Sequence, residues 1–175
     1  YSLGAMSTKI LRGIGVDTSI YPIKGYSLSV KLNDDLFGSS NVAITDNENK
    51  IVYSKLGNVF RIAGTVEMSG INSLIQRKNL NFLYNTANKT FGINLEKSEI
   101  KEWQGIRPFR PNSIPLIGRV NQLENLYLNT GHGSLGWTNA LSSAKIVSDI
   151  IGHDSSDNSS ANFSEDFKFL EDEFK

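Results

Sequence analysis

The residues that first suggest chemistry lie in the proline-rich stretch GIRPFRPNSIPLIG, residues 105–118. Arg107 and Arg110 each stand directly before a proline, which restricts the backbone on either side of the peptide bond. Such a stretch can present a guanidinium group at a fixed angle. A planar guanidinium matches the two oxygens of a carboxylate better than an ammonium group does. The alternative is a stiff surface loop whose arginines pair with structural acids or carbonyls.

A second candidate is the glycine-rich stretch NTGHGSLGWT, residues 129–138, between a predicted strand and a predicted helix. Glycines there let backbone N–H groups approach a ligand, and the following helix N-terminus carries partial positive charge. A phosphate would suit this loop, and so would an electron-rich ring whose reduced form is anionic. A tight turn that binds nothing is the alternative. The stretch matches neither the P-loop pattern nor a G-x-G-x-x-G fingerprint in its usual context.

Composition excludes several classes of function. The 175 residues include 18 basic and 18 acidic side chains, two histidines and no cysteine. Disulfides, thiolate metal sites, cysteine nucleophiles and a histidine-rich metal centre are therefore excluded, and we expect no nucleic-acid partner. No apolar run approaches the roughly 20 residues that span a bilayer. We expect a cytoplasmic location, with peripheral attachment to the inner membrane as the alternative.

The elements that must position these residues follow from hydrophobic patterning. A short helix is predicted over Ser7 to Leu11, followed by a strand over SIYPIKGYSLSVKL. After a break, the segments VAIT, KIVYSKLG and NVFRIAGTVEMSG are predicted to form an antiparallel meander. A helix is predicted over residues 71–91, and a strand over EIKEWQGIRPFRP leads into the proline-rich stretch. NLYLNTG reads as a short buried strand before the glycine loop, and a helix over residues 137–152 follows it. Residues 153–175, rich in Ser, Asn and acids, are expected to form a disordered tail.

Five stretches, taken together and in order, resemble the C-terminal part of the D-amino acid oxidase-like (DAO) family of FAD-dependent oxidoreductases. The likeness covers residues 1–152 and rests on LGAMS, IYPIKGYSLSV, RIAGTVEMSG, GIRPFRPNSIPLIG and NLYLNTGHGSLGWTNA. It implies an α+β fold, related to α/β folds. An antiparallel substrate-domain sheet with helices is joined by the closing strand and helix of a Rossmann-like FAD-binding domain. The implied segments are a FAD-domain remnant (1–17), the substrate domain (18–102), a C-terminal FAD-domain segment (103–152) and the acidic tail (153–175).

The resemblance also implies roles for individual residues. Arg107 is implied to bind the substrate carboxylate, while Arg110 is expected to be structural or solvent-facing. Tyr26 and Tyr53 are candidates for a substrate pocket, although aromatic residues in strands are more often core. Because the family transfers hydride to the flavin without a required base, no catalytic side chain is assigned, and His132 is expected to be structural. The residues implied to contact FAD are Gly133, Ser134, Leu135, Gly136, Trp137 and Thr138, with Gly4 and Ala5 beside the dinucleotide.

Within the family the likeness is nearest to the bacterial D-amino acid dehydrogenases. The implied function is oxidative deamination of D-amino acids to 2-oxo acids by hydride transfer to FAD, with electrons passed to an acceptor such as a quinone. The family's G-x-G-x-x-G unit has no counterpart in these residues. We therefore expect a C-terminal part whose dinucleotide-binding half is supplied by an N-terminal segment or a separate chain. The alternatives are a glycine or sarcosine oxidase-type enzyme of the same family and a non-catalytic, truncated remnant.

Overall fold

A computed structural model describes residues 1–31, 43–92, 95, 99–121, 123 and 125–155, with the side chains of residues 153–155 left out. The chain divides into two compact units. The terminal unit consists of Tyr1–Pro22 and Arg107–Lys175, and the central unit is Ile23–Ile106. The predicted divisions after residues 17 and 102 lie a few residues from these boundaries. The functional labels given to the segments remain predictions.

The central unit is built on a five-stranded sheet whose strand order is β2-β3-β4-β1-β5. The β2–β3 and β3–β4 pairs are antiparallel, so the predicted meander is confirmed, and β1 pairs antiparallel with β4 on its far side. The backbone N–H of Lys31 donates to the carbonyl of Glu99 at 3.2 Å, which brings the end of β1 beside the residue that precedes β5. The strands are β1 (Tyr21–Lys31), β2 (Ala43–Asp46), β3 (Ile51–Leu56), β4 (Val59–Glu67) and β5 (Ile100–Phe109).

Helix α2 (Arg77–Phe91) covers one face of this sheet. Leu80, Leu83 and Ala87 are buried on it, at the spacing of one helical face, and they join the core formed by the strands. Gly92, with φ of 62°, ends the helix in the left-handed conformation that glycine favours. The predicted helix began six residues too early, because residues 71–76 form a loop.

The terminal unit contains a 3-10 turn (Gly4–Met6), α1 (Ser7–Arg12), the antiparallel hairpin of β6 (Leu116–Arg119) and β7 (Tyr127–Thr130), and α3 (Ala140–Ser155). The predicted closing strand and helix are both present, whereas β6 was not predicted. Strand β7 also pairs with the first residue, since the N–H of Asn129 donates to the carbonyl of Tyr1 at 3.0 Å. The core of this unit consists of Leu11, Val16, Leu116, Val120, Leu126 and Leu128.

Helix α3 extends into the segment that was predicted as a disordered tail. Residues 153–155, assigned to the tail, belong to α3, and residues 156–175 lie outside the described part of the chain.

The mixture of an antiparallel sheet with a few helices confirms the predicted α+β class. Among the described residues, no helix is long and apolar enough to cross a membrane.

Candidate functional site

Arg107 lies near the end of β5, in the terminal unit, and is half-buried. Its guanidinium group forms no hydrogen bond or ion pair with any residue that the structure describes. Holding a cation partly out of water without a partner is unfavourable, since surrounding protein replaces hydration without supplying acceptors. Arg107 therefore has the free donors that recognition of a carboxylate requires.

Arg110, three residues later, is engaged by the protein itself. Its side chain is 7% exposed. Nε donates to the carbonyl of Thr18 at 3.1 Å, and Nη1 donates to the carbonyl of Ile114 at 2.8 Å. Of the two expectations for Arg110, structural or solvent-facing, the structure shows the first.

The glycine loop is attached to the strand that carries Arg107. The N–H of Gly133 donates to the carbonyl of Pro108 at 2.9 Å. Gly133 has φ of 55°, and a Cβ atom built on it would lie 3.4 Å from Cδ2 of Phe109. A side chain at this position would strain the backbone and would contact the Phe109 ring. Arg107 and the loop are thus two parts of one local structure.

Beyond Gly133, the loop leads to the N-terminus of α3. The N–H of Leu135 donates to the carbonyl of His132 at 2.9 Å. By contrast, within the described part of the chain, the N–H groups of Gly136, Trp137 and Thr138 donate to no protein acceptor. Trp137 is 95% exposed. Free N–H groups at a helix N-terminus, next to an exposed aromatic ring, provide donors and apolar surface suited to an electron-rich ring.

Gly4, predicted to lie beside the dinucleotide, is close to the same segments. It adopts φ of 54°, and a Cβ atom built there would lie 3.9 Å from Cγ of Pro108. Its carbonyl accepts a hydrogen bond from Oγ1 of Thr130 at 3.3 Å, at the end of β7. Ala5 follows in the 3-10 turn and is half-buried. The structure therefore brings Gly4, Pro108 and the start of the glycine loop together.

His132 differs from the expectation of a satisfied structural histidine. It is half-buried, and its buried Nε2 atom has no hydrogen-bond partner among the described residues. Burial lowers the pKa of His132 below its usual value of 6.5, because the imidazolium form loses its hydration. The side chain is accordingly neutral near pH 7.

The two candidate tyrosines lie inside the central unit. Tyr53 is 1% exposed, stacked on Phe60 with ring centroids 6.1 Å apart and edge-on to Phe91 at 4.8 Å. Tyr26 is equally buried, and its hydroxyl donates to Glu67. Burial, followed by the contact with Glu67, raises the pKa of Tyr26. These placements favour core roles over the substrate-pocket roles suggested by the sequence.

A polar cluster that the sequence reasoning missed surrounds Tyr26. Lys24 is fully buried, and its Nζ donates to Oδ1 of Asn72 at 2.6 Å and to the carbonyl of Leu74 at 2.9 Å. Nζ also lies 3.9 Å from Oε1 of Glu67. The signal was present in β1, where Lys24 precedes Tyr26 by two residues and so shares its inward face.

Comparison with known proteins places the chain in a class. The family model described as "FAD dependent oxidoreductase" (DAO) matches residues 2–150. The chain therefore belongs to the DAO family of FAD-dependent oxidoreductases.

Within this family, the chain is similar in sequence to proteins named D-amino acid dehydrogenase. The D-amino acid dehydrogenase of Paramagnetospirillum magneticum is 40% identical over 148 residues, which are 85% of this chain and 35% of that protein. That of Neisseria meningitidis is 39% identical over 151 residues, 86% of this chain and 35% of that protein. The chain thus spans about a third of the length of the curated relatives it matches.

Solved structures support the fold. Glycine oxidase from Geobacillus kaustophilus superposes with a TM-score of 0.76 at 19% identity, covering 95% of this chain and 42% of that one. L-proline dehydrogenase from P. horikoshii superposes with a TM-score of 0.71 at 18% identity, covering 86% of this chain and 41% of that one. At these identities the likeness concerns the fold alone.

Proposed function

We propose that this chain forms the substrate-carboxylate and flavin-facing part of a FAD-dependent D-amino acid dehydrogenase. The reaction is oxidative deamination of a D-amino acid to a 2-oxo acid. Family membership supports the cofactor, and the names of the relatives support the substrate class. The observation that carries the proposal is the half-buried, unpaired guanidinium group of Arg107 beside a glycine loop with free N–H groups.

In this proposal Arg107 binds the substrate carboxylate through two parallel hydrogen bonds, which orients the α-carbon. The hydrogen bond from Gly133 to Pro108 holds the loop against the strand that carries this arginine. The free N–H groups of Gly136, Trp137 and Thr138, at the positive end of α3, would stabilise negative charge on the ring of bound FAD. FAD supplies the two-electron acceptor at this site. His132, neutral and half-buried, keeps positive charge away from the substrate amine, which must itself be neutral.

The partners in this proposal follow from the shorter span of the chain relative to its relatives. The remaining part of the protein, or a separate chain, binds the ADP portion of FAD through a dinucleotide-binding unit. Electrons pass to an acceptor such as a quinone, which would suit a cytoplasmic protein held at the inner membrane. The fold is shared with glycine oxidase, so oxidation of glycine or sarcosine is the outcome that a substrate screen must separate from D-amino acid oxidation.

The test is steady-state kinetics of the full-length natural protein with D-alanine, glycine and a dye acceptor. A charged bidentate pair contributes roughly 3 kcal/mol, so Arg107→Ala should raise KM for D-alanine about 100-fold or more. The flavin absorbance should stay unchanged, because Arg107 is assigned to the substrate. The matched control is Arg61→Ala, an exposed arginine on β4, which should leave KM unaltered. An unchanged KM in Arg107→Ala would contradict the assignment, and preferential turnover of glycine would contradict the substrate class.

A further inference from the structure

The start of the glycine loop rests on the side chain of Arg110. Gly131 has φ of 82°, and a Cβ atom built there would lie 2.8 Å from Cδ and 3.2 Å from Cγ of Arg110. The same atom would lie 3.6 Å from Cδ1 of Ile20. The aliphatic part of Arg110 therefore packs directly against the Gly131 backbone. Any residue other than glycine at position 131 would prevent this close approach.

The guanidinium group at the end of that stem is held by two separate segments. Nε donates to Thr18, in the segment between α1 and β1, and Nη1 donates to Ile114, in the turn that precedes β6. One planar group thus joins backbone carbonyls from residues that are 92 positions and 4 positions away along the chain. A lysine ammonium lacks the rigid fork that directs donors at both carbonyls together.

The loop has a second attachment only two residues later. Gly133 is hydrogen-bonded to Pro108, next to Arg107. Gly131 and Gly133 are therefore both fixed on the segment 107–110, one through a side chain and the other through the backbone. Displacing the Arg110 stem would leave the hydrogen bond from Gly133 to Pro108 to hold the loop on the segment 107–110.

We propose that Arg110 is a positioning residue, whose clamped side chain sets the glycine loop in the conformation that binds FAD. The inference rests on the proposed function, because it assigns the loop to the flavin. It adds a role for a residue that touches neither substrate nor cofactor. The side chain acts through Gly131, and its own position is set by Thr18 and Ile114.

The alternative is that Arg110 only stabilises the terminal unit. This alternative predicts that any equally destabilising change in the unit would affect FAD binding to the same extent. Val120 provides such a change, since it is fully buried in the core of the terminal unit and belongs to the cluster around β6 and β7. Val120→Ala is the matched control.

The experiment reconstitutes the full-length apoprotein with graded FAD and follows flavin fluorescence, for the wild type, Arg110→Lys, Arg110→Met and Val120→Ala. We expect both Arg110 variants to raise the FAD dissociation constant about 10-fold or more, the effect of one hydrogen bond to a charged group. Val120→Ala should change the FAD dissociation constant by no more than about twofold relative to the wild type. The comparison is made between variants with a similar loss of thermal stability. Equal FAD affinity of the Arg110 variants and Val120→Ala would overturn the inference.

A double-variant cycle keeps the test decisive if the Arg110 variants fold poorly. Gly131→Ala introduces the clash from the loop side, so it should weaken FAD binding without removing the guanidinium donors of Arg110. If both residues act through one contact, Arg110→Met combined with Gly131→Ala should weaken FAD binding less than the sum of the single effects. Strict additivity would overturn the inference. If the wild-type protein binds no FAD, the proposed function fails first, which is a distinguishable result.

Discussion

Replacing Lys24 by methionine should release the loop that precedes α2. Methionine has a similar length but no charge, so the stem still fills the interior while the donors disappear. The ammonium group of Lys24 holds Asn72 and Leu74, and Asn72 in turn accepts a hydrogen bond from the N–H of Leu74 at 3.1 Å. The N–H of Gln76 donates to the hydroxyl of Tyr26 at 3.4 Å. The amides of Leu74 and Gln76 therefore report on whether this loop is closed.

The size of the effect on the free energy of local opening follows from the two hydrogen bonds that Lys24→Met removes. Each has a charged donor, and such bonds contribute about 1.5–3 kcal/mol. Leu74 is 67% exposed, so its carbonyl can bind water once released, and the lower end of the sum applies. The 3.9 Å approach to Glu67 adds little, because Glu67 keeps Tyr26 and Asn79 as donors. We expect the free energy of local opening to fall by about 3 kcal/mol, equivalent to exchange about 100-fold faster.

The assay is hydrogen–deuterium exchange of peptides covering residues 68–80 in the full-length protein. Local exchange suits a protein with two units, because it does not require unfolding in a single step. Lys78→Met is the control, since Lys78 is exposed near the start of α2. Exchange of Leu74 and Gln76 that changes by less than about threefold in Lys24→Met would refute the clamping role of this lysine.

Two further predictions concern a histidine and a glycine. Burial lowers the pKa of His132 in the folded protein below its unfolded value of 6.5, so the unfolded chain binds more protons, and stability should be lost as pH falls from 6.5 towards the folded pKa. His132→Gln should flatten this dependence in thermal melts between about pH 5 and 8, and an unaltered slope would exclude His132 as its source. A Cβ atom on Gly64 would lie 3.0 Å from both Cγ1 of Ile51 and the carbonyl of Lys50 and 3.1 Å from Cδ2 of Leu83, so Gly64→Ala should destabilise the central unit by about 1–3 kcal/mol. Gly152→Ala, with no atom within 4 Å of its Cβ position, is the control for chemical denaturation and should be neutral or stabilising, and similar losses in both variants would contradict the packing argument.

The sequence predicted best those parts of the fold that are determined by residues close together along the chain. The hairpins of β2, β3 and β4 are separated by Asp, Asn and Gly turns, and the strands alternate apolar and polar residues, so local patterning was sufficient. Residues 71–76 were assigned to a helix because their apolar side chains have helical spacing. They form a loop because Lys24, about 50 residues away, binds Asn72 and Leu74. A contact at that separation leaves no local signal.

In the candidate site, too, local sequence predicted some features, whereas others depend on residues far apart along the chain. Both Arg107 and Arg110 precede a proline, and residue type alone could not separate a free guanidinium from a clamped one. The family resemblance assigned Arg107 to the substrate, and the bond from Arg110 to Thr18, 92 residues away, explains why the second arginine is occupied. The unpaired Nε2 of His132 could not be predicted either, because it depends on which acceptors or donors the folded chain brings near.

The way the chain enters and leaves the central unit has an evolutionary consequence. Residues 23–106 are contained between two segments of the terminal unit, and the strands that carry the chain in and out, β1 and β5, are neighbours in one sheet. An insertion whose two ends lie side by side can be exchanged as a module, because the host needs to accommodate only one pair of adjoining strand ends. The central unit can therefore be exchanged while the terminal unit keeps Arg107 and the glycine loop.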